Sequence, residues 1–416
     1  MKKTLTILTS IALIFAFGIG FAGCKKTNTK SSNSTKYVIS NGGEAVVKND
    51  TLYFLNTTTE SATIYSVKIN EEGEFTANPK AYISNVIGDK NGSIYIFGDY
   101  IYYLAASTDK NSAGEVQSGI KKFYRKSLST GKTTTLYATT DSEETELQYA
   151  YYPSGEKDLY LVVYEKSKQT ITSIDVGTNP TKKVIAKEVT GVLFAENGNI
   201  EGANKYVFYT HAKDKTLANR KGNLVERILP SGNEKTTIST KDVTYSLLTI
   251  SNGKLVYSDG NHIYSSTAES LGDGDQILSF LPSSTYKQIK YYGDHMLVLA
   301  TIKSGSADSY EIWNVNCENN EFQKTVVCHA ESDAEFLCTT DEKLYFAQNN
   351  KIYVVEIGEN KNANILCETA ADDISGYIAP EIINGYLYFM STKDNVCALY
   401  RVDATATTVQ EAEKLV

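Results

Sequence analysis

The chain has 416 residues, and its 41 Lys and Arg are outnumbered by 49 Asp and Glu, which gives a formal net charge of −8. This acidic balance argues against a general nucleic-acid-binding protein, because such a protein needs excess positive charge to neutralise phosphates. The 30 tyrosines and only four histidines favour a protein rich in aromatic packing over one with a histidine-based metal site.

The first predicted element is a lipoprotein signal peptide at residues 1–24. Lys2 and Lys3 precede an apolar run over 5–22, and a glycine follows directly before Cys24. This is the three-part layout of an export signal, with the cysteine placed as in bacterial lipoproteins, where acyl chains such as palmitate are attached to it. The sequence therefore predicts lipidation at Cys24 and a lipid-anchored, extracytoplasmic protein of a bacterial cell membrane. A transmembrane anchor is the alternative, because about 20 apolar residues can span a bilayer.

Residues 25–36 are predicted to form a flexible polar tether. They are rich in Ser, Thr, Asn and Lys, a composition that cannot bury a core. Cleavage before Cys24 would also remove Lys2 and Lys3, which changes the formal charge from −8 to −10.

From residue 37 onward, one strand pattern repeats eight times. A polar or glycine turn leads into an apolar and aromatic strand at 49–56, 98–105, 156–163, 204–210, 252–258, 293–300, 341–347 and 384–390. Further strands follow at 62–69, 121–128, 169–176, 223–229, 261–267, 310–315, 351–357 and 398–403. Seven intervals separate Tyr53 from Tyr388, with a mean of about 48 residues, a period typical of repeat architectures.

Four short strands at this period are typical of propeller blades, because blades packed face to face bury a continuous core and expose only short edges. The predicted fold is an all-β, eight-bladed β-propeller over residues 37–416. Seven blades are the alternative, because residues 236–290 are the least regular part of the pattern. Ring closure is expected to bring residues 36–40 near 412–416.

The Gly-Lys-Thr at 131–133 resembles the end of a phosphate-binding loop, but its context does not. Lys126 occupies the position where such a loop needs glycine, and the following TTTLYAT has a strand composition. The sequence STGK at 129–132 is instead predicted to form a hairpin turn between two strands. No nucleotide is expected to bind.

Metal, cofactor and catalytic motifs are not found. His211, His262, His295 and His329 are isolated, so each is predicted to be a surface or strand residue. Residues 109–120 begin like a calcium loop but end in Ile120 where a bidentate glutamate is needed, and Asp273 with Asp275 is a weaker candidate. A serine hydrolase is not supported, because no Gly-x-Ser-x-Gly is present.

The five cysteines after Cys24 are predicted to be small buried hydrophobic residues. They are Cys317, Cys328, Cys338, Cys367 and Cys397. Each lies in or beside an apolar run and none has CxxC spacing, so a metal cluster is not expected. A disulfide such as Cys317–Cys328 is left open.

Acidic residues concentrate in the predicted connections between blades. Candidate ligand-binding residues are Asp141, Glu143, Glu144, Asp333, Asp372 and Asp373, with Glu146 and Glu331 beside them. Long loops over 105–121, 211–223 and 300–309 are expected to form a raised rim on the same face. Such a mouth is expected to attract a cationic partner, with ordinary solvated loops as the alternative.

The stretches FYRKSLSTGKTTTLY (123–137) and NGYLYFMSTKDNVCALYRVD (384–403) resemble a family of bacterial surface-lipoprotein β-propellers, itself distantly similar to low-density-lipoprotein-receptor propellers. The resemblance implies the propeller fold. Together with the anchor, it leads us to expect a binding or scaffolding module for a protein, peptide or glycan, without cofactor or catalytic residues. The alternative is a propeller enzyme of the polysaccharide lyase or glycosidase type.

Overall fold

The computed structural model describes residues 38–39, 41–57, 62–87, 93–117, 119–139, 147–154, 158–195, 202–212, 223–239, 246–251, 254–267, 275–279, 284–292, 295–305, 307–317, 323–340, 342–368, 381–393 and 396–416. The signal peptide, Cys24 and the whole of the tether, residues 25–36, therefore lie outside the described residues. No helix among the described residues is both long and apolar enough to cross a membrane.

The described chain is almost entirely β-structure. Its strands are β1 (Val38–Ile39), β2 (Ala45–Lys48), β3 (Thr51–Thr57), β4 (Ala62–Lys68), β5 (Lys80–Val86), β6 (Tyr95–Phe97), β7 (Tyr100–Ala106), β8 (Lys121–Ser127), β9 (Thr133–Ala138), β10 (Leu147–Ser154), β11 (Asp158–Glu165), β12 (Thr170–Asp175), β13 (Thr181–Lys187), β14 (Val189–Leu193), β15 (Val207–Ala212), β16 (Asn223–Ile228), β17 (Thr236–Ser239), β18 (Ser246–Ser251), β19 (Lys254–Ser258), β20 (His262–Thr267), β21 (Asp275–Ser279), β22 (Ser284–Tyr292), β23 (His295–Ser304), β24 (Ala307–Asn316), β25 (Gln323–Ala330), β26 (Glu335–Thr339), β27 (Lys343–Gln348), β28 (Lys351–Glu356), β29 (Asn364–Glu368), β30 (Glu381–Ile383), β31 (Tyr386–Lys393), β32 (Val396–Asp403) and β33 (Glu413–Lys414). Two short 3₁₀ helices, Lys166–Lys168 and Gly202–Lys205, complete the elements.

The strands form four-stranded antiparallel groups in chain order. Strands β10 to β33 make six separate four-stranded sheets. The first nine strands make one sheet, in which β2–β5 and β6–β9 are joined by the pair Val86 and Ala105 and by a hydrogen bond from the amide of Ile87 to the carbonyl of Leu104 at 2.9 Å. We call these groups units 1 to 8, with unit 1 formed by β2–β5 and unit 8 by β30–β33. Strand β1 adds to the free edge of β2.

The second strand of a unit is buried on both faces, whereas the fourth is an exposed edge. In β23, the five consecutive residues from Met296 to Ala300 are buried. Since successive side chains in a strand point to opposite faces, another unit must cover each face. By contrast, β13 carries exposed lysines along TKKVIAK, which discourages pairing with another chain.

Apolar clusters join each unit to the next, and the last unit also packs against the first. Leu52 and Phe54 of unit 1 share a buried cluster with Tyr388 and Leu399 of unit 8. Closure differs from the sequence-based expectation, however. Val38–Ile39 pairs with the inner edge of unit 1, whereas Glu413–Lys414 pairs with β32 at the outer edge of unit 8. The two ends are therefore in different sheets.

The strand ends define two faces. The hairpin turns between first and second strands and between third and fourth strands lie at one end, which we call the turn face. The loops between second and third strands and the links between units lie at the other end, which we call the connection face. The predicted hairpin at STGK is confirmed: it joins β8 to β9 on the turn face, with Gly131 at φ 73°.

The described cysteines are buried free thiols. Cys317, Cys328, Cys338 and Cys367 all lie in the core. Cys317 belongs to the cluster between units 5 and 6, whereas Cys328 belongs to the cluster between units 6 and 7. The possible Cys317–Cys328 disulfide is therefore not formed. The side chain of Cys397 lies outside the described part of the structure.

Candidate functional site

Two hairpins rise on the connection face. In unit 6, the pairing of β23 with β24 continues to Ser304 and Ala307, where most side chains are exposed. In unit 2, an isolated bridge between Lys110 and Val116 closes a small hairpin, in which Asn111 Oδ1 accepts hydrogen bonds from two backbone amides at 2.9 and 3.0 Å. These are two of the three long loops predicted to form a rim. The third lies mostly outside the described residues.

The hairpin of unit 6 forms one wall of an open cleft of about 610 Å³. Asp308, Ser309 and Tyr310 line this wall. The rest of the lining comes from His329 and Ala330 at the end of β25, which pairs with β24, and from Glu331 and Ser332 in the link to unit 7. We call this cavity the unit 6 cleft.

The link is held in place by the next unit. The backbone amide of Glu331 donates to Gln348 Oε1 at 3.0 Å, and Asp333 Oδ2 accepts from the backbone amide of Asn349 at 2.6 Å. Both acceptor and donor lie at the turn between β27 and β28. The wall of the unit 6 cleft is thus fixed by hydrogen bonds to unit 7.

The unit 6 cleft is open, polar and acidic. Asp308, His329 and Glu331 are exposed, and no Lys or Arg lines the cavity. Two carboxylates beside a hydroxyl and an imidazole provide acceptors for a cationic or hydrogen-bonding group. Within the described part of the chain, no group of three or more His, Cys, Asp and Glu residues is placed to hold a metal ion.

Of the predicted ligand-binding residues, only Asp333 can be located. It lies on the connection face, as expected, and is exposed, but one of its oxygens caps the neighbouring turn. Asp141, Glu143, Glu144, Asp372 and Asp373, with Glu146 beside them, lie outside the described residues. Sequence reasoning missed Asp308 and His329 as neighbours of Glu331, because 21 residues or more separate Asp308 from the other two.

Three glutamates among the described residues are buried, Glu44, Glu165 and Glu226, and sequence reasoning singled out none of them. Glu165 accepts a hydrogen bond from Tyr137 across units 2 and 3 at 2.5 Å, and Lys168 lies 2.8 Å away. Burial is the largest cause of the raised pKa of Tyr137, and the adjacent Glu165 adds to it. The glutamate that ends the apolar strand DLYLVVYE is the feature of the sequence that could have indicated a buried carboxylate here.

Another buried glutamate is Glu226, in β16. Its Oε2 lies 3.0 Å from both His211 Nε2 and Lys235 Nζ. Burial acts to raise the pKa of Glu226, but hydrogen bonds from Lys235 and Tyr209 outweigh it and the pKa is lowered. Glu226 is therefore an ionised carboxylate within unit 4, and His211, a strand residue as predicted, serves as its neighbour.

The other histidines also have local neighbours. His262 Nδ1 lies 3.1 Å from Asp259 Oδ2, in a turn where Asp259 also accepts from Tyr264 at 2.9 Å. His295 Nδ1 lies 3.2 Å from Asn314 Oδ1. Each contact lies within a single unit, unit 5 for His262 and unit 6 for His295, which agrees with the prediction that these histidines are surface or strand residues.

No protein-family model and no curated protein matches the chain. Solved structures do match. The β-propeller domain of the Trilobed protease from Pyrococcus furiosus is 8% identical, with a TM-score of 0.38, over 91% of this chain and 95% of that one. Saccharomyces cerevisiae Sqt1 is 11% identical with a TM-score of 0.49, covering 85% and 93%. An oligogalacturonate lyase in complex with manganese is 9% identical with a TM-score of 0.47, covering 87% and 98%. The described chain is nearly all β and is built mostly of four-stranded sheets, and the structures that match it include a β-propeller domain.

Proposed function

We propose that this protein is a lipid-anchored propeller of the bacterial cell envelope that binds a cationic segment of a protein or peptide in the unit 6 cleft. The observation that carries the proposal is the pair of carboxylates, Asp308 and Glu331, in the lining of this cleft, which includes no Lys or Arg. Two lysines lie close by: Lys303 pairs with Asp308 across the hairpin, and Lys287 Nζ donates to the carbonyl of Ser332 at 3.1 Å. Opposite charge on a partner would be attracted there, and salt would weaken the attraction.

The proposal includes a closed ring of eight blades, one for each unit. The contact from unit 8 to unit 1 resembles contacts elsewhere in the ring. Arg401 of unit 8 donates to the carbonyl of Gly73 in unit 1 at 2.8 Å, just as Arg125 of unit 2 donates to the carbonyl of Val176 in unit 3 at 2.6 Å. A ring with eight equivalent interfaces accounts for both contacts, and the seven-blade alternative would leave one unit without a place.

The anchor part of the proposal depends on Cys24. Two acyl chains on one residue provide stable retention that one chain does not. Mass spectrometry of the membrane fraction is expected to find a diacylglyceryl-modified Cys24 at the start of the mature chain. Cys24→Ala should leave the signal uncleaved or release the protein, and a mature chain that starts elsewhere would rule out lipidation.

Binding is tested by removing charge on each face in turn. The double variant Asp308→Gln and Glu331→Gln is compared with Glu71→Gln and Glu72→Gln, which remove the same charge from an exposed turn-face loop. With an oligolysine peptide as probe, calorimetry is expected to give at least tenfold weaker binding for the first pair and little change for the second, with a strong salt dependence in the wild type. An equal loss of affinity in the two double variants would show that oligolysine binds to the acidic surface in general and not to the cleft.

If the protein is instead an enzyme, the same cleft is the candidate active site, because paired carboxylates are the usual catalytic groups of glycosidases. A propeller lyase or glycosidase would release new sugar ends from an acidic or neutral polysaccharide. Loss of that release in Glu331→Gln, without loss of oligolysine binding, would favour the enzyme over the binding module.

A further inference from the structure

The path of the chain into the ring is defined by β1. Val38 pairs with Lys48 and Ile39 with Val47, in antiparallel register on the inner edge of unit 1. Lys48 is the last residue of β2 before the turn at 49–50, so it marks the turn face. Because β1 starts beside Lys48 and runs towards the connection face, the chain enters the ring from the turn face.

The entering segment is fixed between two units. The side chain of Asn41 bonds both backbone groups of Ile96, donating to its carbonyl at 2.8 Å and accepting from its amide at 2.6 Å. The next two residues, Gly42 and Gly43, form backbone hydrogen bonds with Ile94, both at 2.8 Å. Asn41 thus acts as an extra strand residue on the inner edge of unit 2. Residues 41–43 are therefore held in a defined position by hydrogen bonds to unit 2.

From this path we infer that a membrane anchor upstream of Val38 sets the turn face towards the bilayer and the connection face, with the unit 6 cleft, away from it. This inference rests on the proposed lipid anchor. It adds the direction from which a partner must approach: the partner of the unit 6 cleft comes from outside the membrane, as a soluble or opposing-surface molecule and not as a lipid headgroup.

Chain length limits the opposite orientation. The 13 residues 25–37 can span at most about 44 Å, the length of a fully extended chain. A path from the inner edge across four strands about 4.8 Å apart, and then along a strand of seven residues, is about 43 Å. By this outer route, the connection face touches the bilayer only when residues 25–37 are almost fully extended, which costs chain entropy. The turn face is therefore the one held near the membrane.

The test measures the distance of each face from a bilayer. Residues 1–24 are replaced by a hexahistidine tag that binds nickel-lipid vesicles, which keeps residues 25–37 as the tether. In a Cys397→Ser background, a donor dye is placed at Lys132→Cys on the turn face or at Ser332→Cys on the connection face, both exposed positions. Energy transfer to an acceptor lipid is expected to be at least twofold higher for the turn-face dye. Equal transfer, or higher transfer from the connection face, would overturn the inference.

A matched control moves the tag to the other end of the chain, after Val416. That end lies at the outer edge of unit 8 and runs towards the connection face, so the preference for the turn-face dye should disappear. If the preference persists, it reflects adsorption of the turn face to lipid and not the path of the tether, and the inference fails. Because the tag replaces the natural anchor, this test is independent of Cys24. An absence of natural lipidation would therefore remove the proposed anchor and leave the measured exit geometry unaffected.

Discussion

At the residue scale, the cysteines show how burial decides between chemical roles. Their confinement to the last quarter of the chain raised the possibilities of a metal cluster or a disulfide. The four described side chains lie in the core as free thiols. Burial raises the pKa of Cys328 and of Cys367 to about 11. Since only the thiolate reacts, these residues are packing groups.

This yields a prediction about thiol reactivity. In a variant with Cys24→Ser and Cys397→Ser, the four remaining thiols should react with Ellman's reagent at pH 8 only after the protein unfolds. A thiol with a pKa three units above the pH is thiolate for only about one part in a thousand, and the core also excludes the reagent. Four equivalents should be released in denaturant. Rapid reaction of any thiol in the native protein, or fewer than four equivalents in denaturant without reductant, would contradict the burial or the free state.

At the element scale, the turns between third and fourth strands join neighbouring units. The backbone amides of Asn360 and Lys361, in such a turn of unit 7, donate to carbonyls of β25 in unit 6. Gln410 in unit 8 donates in the same way to Leu366 in unit 7, at 2.9 Å. Gly73 takes the corresponding place in unit 1, where it meets unit 8. These turns are thus contact elements and not simple reversals of direction.

A pair of glycine substitutions tests this role. Gly73 and Gly131 both have positive φ, at 84° and 73°, so an alanine strains the backbone at either position by about 1 kcal/mol. A Cβ on Gly73 would lie 3.0 Å from Asn384 Cβ, whereas a Cβ on Gly131 would meet nothing within 4 Å. Gly73→Ala is therefore expected to lower the free energy of unfolding by about 1–3 kcal/mol more than Gly131→Ala. Urea denaturation measures both. Equal losses would mean that the turn of unit 1 does not contact unit 8 closely.

The elements also show what sequence patterns can reveal. All sixteen strands assigned from the apolar-aromatic repeat are confirmed, because their pattern is local. The short strand β1 and the entry of the chain beside unit 2 were not predicted, because Asn41 and Ile96 are 55 residues apart. The unit 6 cleft was missed for the same reason. Its walls come from different strands, and the pattern of one strand does not say which loop will face it.

At the scale of the whole molecule, the main question is whether the ring is mechanically closed. Arg401 and Arg125 occupy the same place in their units: each stacks on a tyrosine, at 4.5 and 4.9 Å from the ring centre, and donates to a carbonyl of the following unit. Arg125 joins two units that follow each other in the chain. Arg401 joins the last unit to the first, so its contribution to stability depends on closure.

Comparison of Arg401→Ala with Arg125→Ala therefore tests closure. A charged hydrogen bond and a stacked cation are together worth about 2–4 kcal/mol, and in a closed ring both variants should lose at least this amount. Arg401→Ala should lose somewhat more, because Arg401 also pairs with Glu413 of its own unit at 2.7 Å. In an open ring, the contact between units 8 and 1 would add little to the stability of the remaining units. Arg401→Ala would then leave the main urea transition almost unchanged while Arg125→Ala lowered it, and that result would reject the closed ring. A loss in Arg401→Ala at least as large as that in Arg125→Ala, with unchanged denaturant dependence, would mean that the ring unfolds as one cooperative body, in which the first and last units are neighbours like any others.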